Sequence, residues 1–368
     1  MNHSILHVIT TIDLGGAEKQ LLALATHQKK MGYDVEIMYL KGNPMLRDNF
    51  LAEEINVNSS LSDLSFLKQI FALGRRRANS NVIFHAHLPR AELLCAIALK
   101  TKSFVVTRHN SEDFFPGAPK LVSKIMSRFV LRKAFTSISI SRAVQNYLSS
   151  RGELKNLQNN IVIHYGLLDT SVFVRDSNKI QGNKIQIGTV SRLVPQKNLK
   201  LILQALRVLL DASVGSFQLN IVGVGPLERE LRLFANELQL GDSVSWLGQI
   251  QNLHNFYSSI DIFVLTSNYE GFGLVLLEAM QSAVPIIARR NSAIPEVLGS
   301  DHIGLLDTND VVELAKMILS ICTSPTKLQA CLDQQSMRMP FFTIEKTHSA
   351  HEKIYVELLK QRRHTTKK

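Results

Sequence analysis

Short runs rich in β-branched residues alternate along the chain with longer segments whose apolar positions recur every three or four residues. Runs at Ile5–Thr10, Asp34–Leu40, Asn81–His85, Ser103–Thr107, Thr136–Ser141 and Ile161–Ile163 predict strands. Helices are expected between them, at Ala17–Met31, Pro89–Leu99 and Lys120–Lys133, while Met45 to Leu61 carries no clear pattern. A polar break over 174–184 interrupts the alternation, which then resumes. Strands are predicted at Ile185–Ser191, Phe217–Val222, Ser243–Trp246, Asp261–Leu265 and Pro285–Ala288, with helices at Leu199–Asp211, Pro226–Leu240, Gly273–Ser282 and Asp310–Thr323. Strand–helix–strand alternation builds parallel sheets covered on both faces. The expected fold is α/β: two Rossmann-like, doubly wound parallel-sheet domains facing a cleft, at 1–173 and 174–345. Residues 346–368 are expected to form a C-terminal helix and basic tail that pack back towards the first domain.

Composition narrows the class. The 368 residues are 45% hydrophobic and 20% charged, which excludes a largely disordered, collagen-like or disulfide-scaffold protein. The longest apolar runs, such as Leu93–Leu99, fall well short of the ~20 residues of a membrane-spanning helix. With no secretory pattern at the N-terminus and three cysteines without metal-ligand spacing, a cytoplasmic protein with reduced thiols is expected. The net charge of +11 is uneven: residues 1–175 hold 22 Lys and Arg against 13 Asp and Glu, and five more basic residues crowd the last nine positions. That asymmetry predicts an anionic partner for one face.

In open α/β sheets, ligands bind beyond the carboxyl ends of the strands, so candidate chemistry is sought in the loops there. After the first predicted strand, Gly15 and Gly16 allow close backbone approach to a ligand, and a helix N-terminus follows. The pair is not Gly-x-Gly-x-x-Gly, so no dinucleotide site is supported. In Gly188-Thr-Val-Ser-Arg-Leu-Val-Pro-Gln-Lys, Arg192 and Lys197 put two cations between a strand end and a helix start, suiting a phosphate ester. In Glu270-Gly-Phe-Gly-Leu-Val-Leu-Leu-Glu278, glycines open a nearly all-apolar helix that carries a carboxylate in its second turn. A buried carboxylate needs hydrogen-bond donors, and vicinal hydroxyls of a polyol would supply them.

Two glutamates in the frame Glu-Gly-Phe-Gly-x-x-x-x-Glu resemble the signature of retaining glycosyltransferases of family 4, of the cell-surface polysaccharide and lipopolysaccharide type. The resemblance extends through Gly15-Gly16-Ala17-Glu18, Arg192 with Lys197, Gly223-Val-Gly-Pro, Trp246-Leu-Gly and Ile294-Pro-Glu-Val. It implies the GT-B architecture and a nucleotide-sugar co-substrate, with UDP as the expected nucleotide, no cofactor and no metal. By the same resemblance Gly15 and Gly16 lie near the donor phosphate and Arg192 and Lys197 bind the diphosphate. Glu270 and the amides of Gly271, Phe272 and Gly273 hold the sugar, Leu274 lies near the phosphates, and Glu278 binds the ribose. His109, after the strand Ser103–Thr107, matches the histidine that reaches the sugar; Arg192, Lys197, Glu270 and His109 are thus the implied catalytic set. Val224, Ala283 and Ala293 depart from the family pattern outside the double-glutamate frame.

No carboxylate stands out as a covalent nucleophile and no Asp-x-Asp frame lies near the cations, so same-face attack with cationic stabilisation of the leaving group is expected. For the acceptor, Lys120, Lys124, Arg128 and Arg132 recur every four residues beside Leu121, Val122, Ile125, Met126, Phe129 and Val130. This pattern suits peripheral contact with an anionic membrane and a glycan or lipid-linked acceptor, and equally fits an amphipathic core helix with a solvated face. Arg75-Arg-Arg and the tail from Lys360 would add to it. A sugar-nucleotide epimerase of the same architecture is the competing reading. A nucleic-acid-binding protein is disfavoured, because no recognition module or aromatic stacking frame appears.

Overall fold

The computed structural model describes residues 3–76, 81–157, 159–170, 184–212, 216–250 and 253–366. The polar break lies almost wholly outside them, as do the expected boundary at 173/174 and Arg77, Lys367 and Lys368. The chain divides into two compact units, Met1–Asp169 with Phe342–Lys368, and Thr170–Phe341.

In the first unit β1 (Ser4–Ile9), β2 (Asp34–Tyr39), β3 (Asn56–Asn58), β4 (Val82–His87), β5 (Phe104–Arg108), β6 (Thr136–Ser139) and β7 (Asn160–Val162) form one parallel sheet in the order β3-β2-β1-β4-β5-β6-β7. Helices α1 (Gly16–Lys30), α2 (Arg47–Ala52), α3 (Phe66–Arg76), α4 (Pro89–Ala98), α5 (Lys120–Lys133) and α6 (Arg142–Ser150) connect them. The patternless stretch from Met45 holds α2 and β3, both too short to display a period.

In the second unit β8 (Lys184–Val190), β9 (Ser216–Val222), β10 (Val244–Gly248), β11 (Ile262–Leu265), β12 (Ile286–Arg289) and β13 (Leu305–Leu306) repeat the arrangement as β10-β9-β8-β11-β12-β13. Its helices are α7 (Leu199–Asp211), α8 (Glu228–Glu237), α9 (His254–Ser259), α10 (Leu274–Gln281), α11 (Ile294–Leu298), α12 (Val311–Thr323) and α13 (Pro325–Arg338). Leu199, Leu203, Leu206 and Ile318 fill a core between this sheet and the α7/α12 pair. Asp310 caps α12 by accepting from the Glu313 amide at 2.9 Å.

The last helix, α14 (Ile344–Thr366), belongs to the first unit. Ile354, Tyr355, Leu358 and Leu359 pack on Ile5, Ile83 and Val105 of the sheet. Tyr33 donates to Glu352 at 2.8 Å, and Arg362 donates to the carbonyls of Val82 and Ser103.

Helix α5 turns only part of its apolar side to the core. It buries Ser123 and Ser127 completely, together with Val130 and Leu131, and exposes Leu121 (68%), Val122, Ile125 (58%) and Phe129. The reason lies beneath it: Glu92 and Arg108 form a buried ion pair at 3.0 Å. Arg108 donates to the Ser127 hydroxyl at 3.0 Å, and that hydroxyl donates to Glu153. Buried charges need polar neighbours, so the serines face inward, and Leu121, Val122, Ile125 and Phe129 are left outside. The helix is therefore a core helix only in part: Val130 and Leu131 join the core of the first unit and Met126 packs against it. Leu67 and Phe71 of α3 are also exposed, at 69% and 72%; α4 lies between α3 and α5.

Candidate functional site

Each sheet reverses its strand order once, between β1 and β4 in the first unit and between β8 and β11 in the second. Loops diverge there and leave a crevice at the strand ends. In the second unit the loop after β8 carries Arg192 and Lys197, and the loop after β11 carries Glu270. The two loops are stitched together: Asn268 N donates to Gln196 O at 2.7 Å, Gln196 Nε2 to Tyr269 O at 2.7 Å, and Thr266 Oγ1 to Lys197 O at 3.0 Å. Across them Lys197 Nζ meets Glu270 Oε1 at 2.7 Å, with side-chain exposures of 13% and 8%. Lys197 closes a single turn, Pro195–Lys197, ahead of α7 rather than entering that helix itself. Arg192 is exposed. Its loop is braced by the Gly223-Val-Gly-Pro turn, since Leu193 N donates to Val224 O at 3.0 Å.

Behind Glu270, Ser292 Oγ donates to the Glu270 carbonyl at 2.7 Å. Gly273, at φ +89°, turns the chain into α10 in a conformation that suits glycine. Phe272 is buried and anchors this turn, while Gly271 and Leu274 are half-buried. Glu278 is half-buried rather than enclosed; its Oε2 accepts from Tyr257 Oη of α9 at 3.0 Å. Nothing in the sequence pattern singled out Tyr257, because a tyrosine in a short helix gives no signal until the fold sets it against α10.

In the first unit Gly15 is the N-cap of α1 and Glu18 folds back over it, so that a Cβ on Gly15 would strike Glu18. Glu18 also accepts from Thr11 Oγ1 at 2.8 Å. Gly16 has open space where a side chain would stand. His109 is buried, and both its ring nitrogens are engaged, Nδ1 with Tyr165 Oη at 2.5 Å and Nε2 with His87 Nδ1 at 3.1 Å. Its side chain serves protein partners first. Burial, reinforced by His351 and Arg108, pulls its pKa down to about 3. His7, His85 and His87 share its sheet face, because His7 pairs with His85 across β1 and β4 and His87 lies two residues further on. These three are the histidine group with metal-ligand spacing among the described residues. Each of their ring nitrogens already has a hydrogen-bond partner.

A lysine paired with a buried carboxylate, and an exposed arginine on the lysine's loop, are groups of the kind that can meet an anion attached to a polyol. Residues 14–170 match the family described as Glycosyltransferase Family 4, and residues 172–338 match Glycosyl transferases group 1. The chain belongs to the family 4 glycosyltransferases. It is 26% identical over 298 residues to N-acetyl-alpha-D-glucosaminyl L-malate synthase of Bacillus anthracis, covering 76% of this chain and 75% of that one. It is 25% identical over 320 residues to the lipopolysaccharide core biosynthesis mannosyltransferase LpsB of Rhizobium meliloti, covering 82% and 86%. The structure of Anabaena HepE in complex with UDP and glucose superposes with a TM-score of 0.80 at 18% identity, over 97% of this chain and all of that one. This glycosyltransferase therefore has the GT-B type of fold, two parallel-sheet Rossmann-like units. Among the described residues no helix is long and apolar enough to cross a membrane.

Proposed function

We propose that this glycosyltransferase moves a hexosyl group from a UDP-sugar to a polysaccharide or lipid-linked acceptor, with retention of anomeric configuration. The observation that carries the reading is the Lys197–Glu270 pair at the switch point of the second sheet. Lysine has three donors on one nitrogen, so Nζ can hold Glu270 and a phosphate oxygen together. Arg192, exposed on the same loop, supplies a second cation, and the amides that open α10 add the positive end of a helix. Glu270 accepts from sugar hydroxyls and Glu278, steadied by Tyr257, accepts from the ribose. In the transfer the bond from the anomeric carbon to the diphosphate oxygen breaks and a bond to the acceptor oxygen forms on the same face. The acceptor's proton passes to the departing phosphate oxygen. Arg192 and Lys197 stabilise the charge that develops on the leaving group, where preorganised cations act most strongly. HepE, solved with UDP and glucose, supports UDP-glucose as the first donor to try.

The exposed apolar residues of α5, flanked by Lys120 and Arg132, support weak peripheral contact with anionic lipid. That contact would bring the enzyme to a lipid-linked acceptor.

The test is a thermal-shift panel of nucleotide sugars, since a ligand that binds the folded state raises its apparent stability. UDP and UDP-glucose should raise the melting temperature, and Lys197→Ala should abolish the rise. Absence of any shift with UDP, or an unchanged shift in the variant, overturns the reading. Incubation with donor alone separates the epimerase alternative, which would interconvert the sugar without an acceptor.

A further inference from the structure

The polar side chains between the first sheet and helices α1 and α14 join into one continuous chain. Tyr165 Oη lies 2.5 Å from His109 Nδ1, His109 Nε2 3.1 Å from His87 Nδ1, and His87 Nε2 3.0 Å from His7 Nδ1. His7 Nε2 is 2.8 Å from Gln28 Oε1, and Gln28 Nε2 is 3.4 Å from Tyr355 Oη on α14. Tyr355 Oη in turn lies 2.7 Å from His85 Nδ1, and His85 Nε2 is 2.7 Å from Thr107 Oγ1. His7, His85, His87 and His109 are all buried.

A neutral imidazole donates through one nitrogen and accepts through the other, so the direction of any one link dictates the next. Histidine holds either direction, whereas a carboxamide has one end that only accepts and one that only donates. With Oε1 towards His7, the proton of His7 must sit on Nε2. Its Nδ1 then accepts from His87 Nε2–H, His87 Nδ1 accepts from His109 Nε2–H, and His109 Nδ1 accepts the Tyr165 hydroxyl. Burial keeps the rings uncharged, with His7 drawn down to about 4.

We propose that Gln28 is a positioning residue for His109. Through His7 and His87 its carboxamide fixes the His109 imidazole as the Nε2–H tautomer, and Tyr355 on α14 seats that carboxamide. The functional weight of this rests on reading His109 as the histidine that reaches the sugar. A Tyr165 hydroxyl committed as donor to His109 has only lone pairs to turn towards other groups, which suits it to accept from a hydroxyl. The reversed chain would offer a proton instead.

The experiment is long-range proton–nitrogen NMR on the full chain labelled with nitrogen-15 in histidine, which separates the two neutral tautomers and the imidazolium by their nitrogen shifts. At neutral pH His7, His87 and His109 should all read as Nε2–H. Gln28→Glu, which still accepts from His7, should keep the His109 signals where they are. Gln28→Met should move them to the other tautomer or to an average of the two, and Tyr355→Phe tests the same anchor should Gln28→Met fail to fold. Wild-type His109 reading as Nδ1–H or imidazolium overturns the proposal, as does an unchanged spectrum in whichever of these two variants is folded. Stoichiometric zinc across His7, His85 and His87 would overturn it too. The spectra need no substrate, so the tautomer result stands or falls apart from UDP binding by Lys197.

Discussion

Lys197 and Glu270, 73 positions apart in the chain, close to 2.7 Å where the second sheet reverses its strand order. Neither side chain is more than 13% exposed, so each is the other's main answer to lost solvent. Lys197→Met leaves the Glu270 carboxylate without its counter-charge and should cost about 3 kcal/mol of stability. The double change Lys197→Met with Glu270→Gln should cost less than the lysine change alone. Chemical denaturation of the three proteins measures both. UDP affinity, followed by calorimetry, should fall by roughly tenfold or more in both lysine variants.

Tyr257→Phe removes the hydroxyl that donates to Glu278 and also lies 3.3 Å from the Val275 carbonyl, and keeps the ring. A stability loss of about 1 kcal/mol is expected. Affinity for UDP should fall while affinity for inorganic pyrophosphate stays level, because Glu278 is read as the ribose partner. Equal losses for both ligands would contradict that role.

Acid should unfold the first unit through its histidines. Burial draws His7 and His351 down to about 4 and His109 to about 3, from an ordinary value of 6.5. Below pH 6.5 the unfolded chain takes up protons that the folded one refuses, so stability falls as the pH drops towards 4, by about 1.4 kcal/mol per pH unit for each such histidine. Glu92, raised to about 7 by burial, works the other way between about 4.5 and 7 but is a single group. Melting temperatures between pH 7 and 4.5 should decline steeply in the wild type. His351→Asn should flatten the slope.

Charge reversal on α5 tests the membrane contact. Lys124→Glu with Arg128→Glu, and separately Ile125→Glu, should reduce co-sedimentation with vesicles rich in phosphatidylglycerol. Ile125 is 58% exposed, so its change should leave the melting temperature nearly untouched. Binding indifferent to all three changes would remove the case for lipid contact.

The alternation of strands and helices was legible because parallel strands must be apolar on both faces and their helices on one. Lys120–Lys133 and Leu199–Asp211 were readable to the residue. Periodicity predicted the existence of α5 but not which way it faces, since the buried Glu92–Arg108 pair that turns its serines inward comes from other elements. The loops bearing Lys197 and Glu270 stood out by residue type, yet their ion pair depends on a sheet register no local pattern encodes. The histidine chain was invisible for the same reason: its members are scattered from His7 to Tyr355 and meet only across the sheet.

The helix Ile344–Thr366 completes a sheet whose first strand begins at Ser4. During synthesis the opening segments must therefore wait, with Ile5, Ile83 and Val105 uncovered, until the whole intervening unit has left the ribosome. Dissecting the enzyme at residue 169 would strand the first unit with a greasy flank and an unanchored Gln28. A workable half-molecule would have to carry residues 342–368 grafted back on.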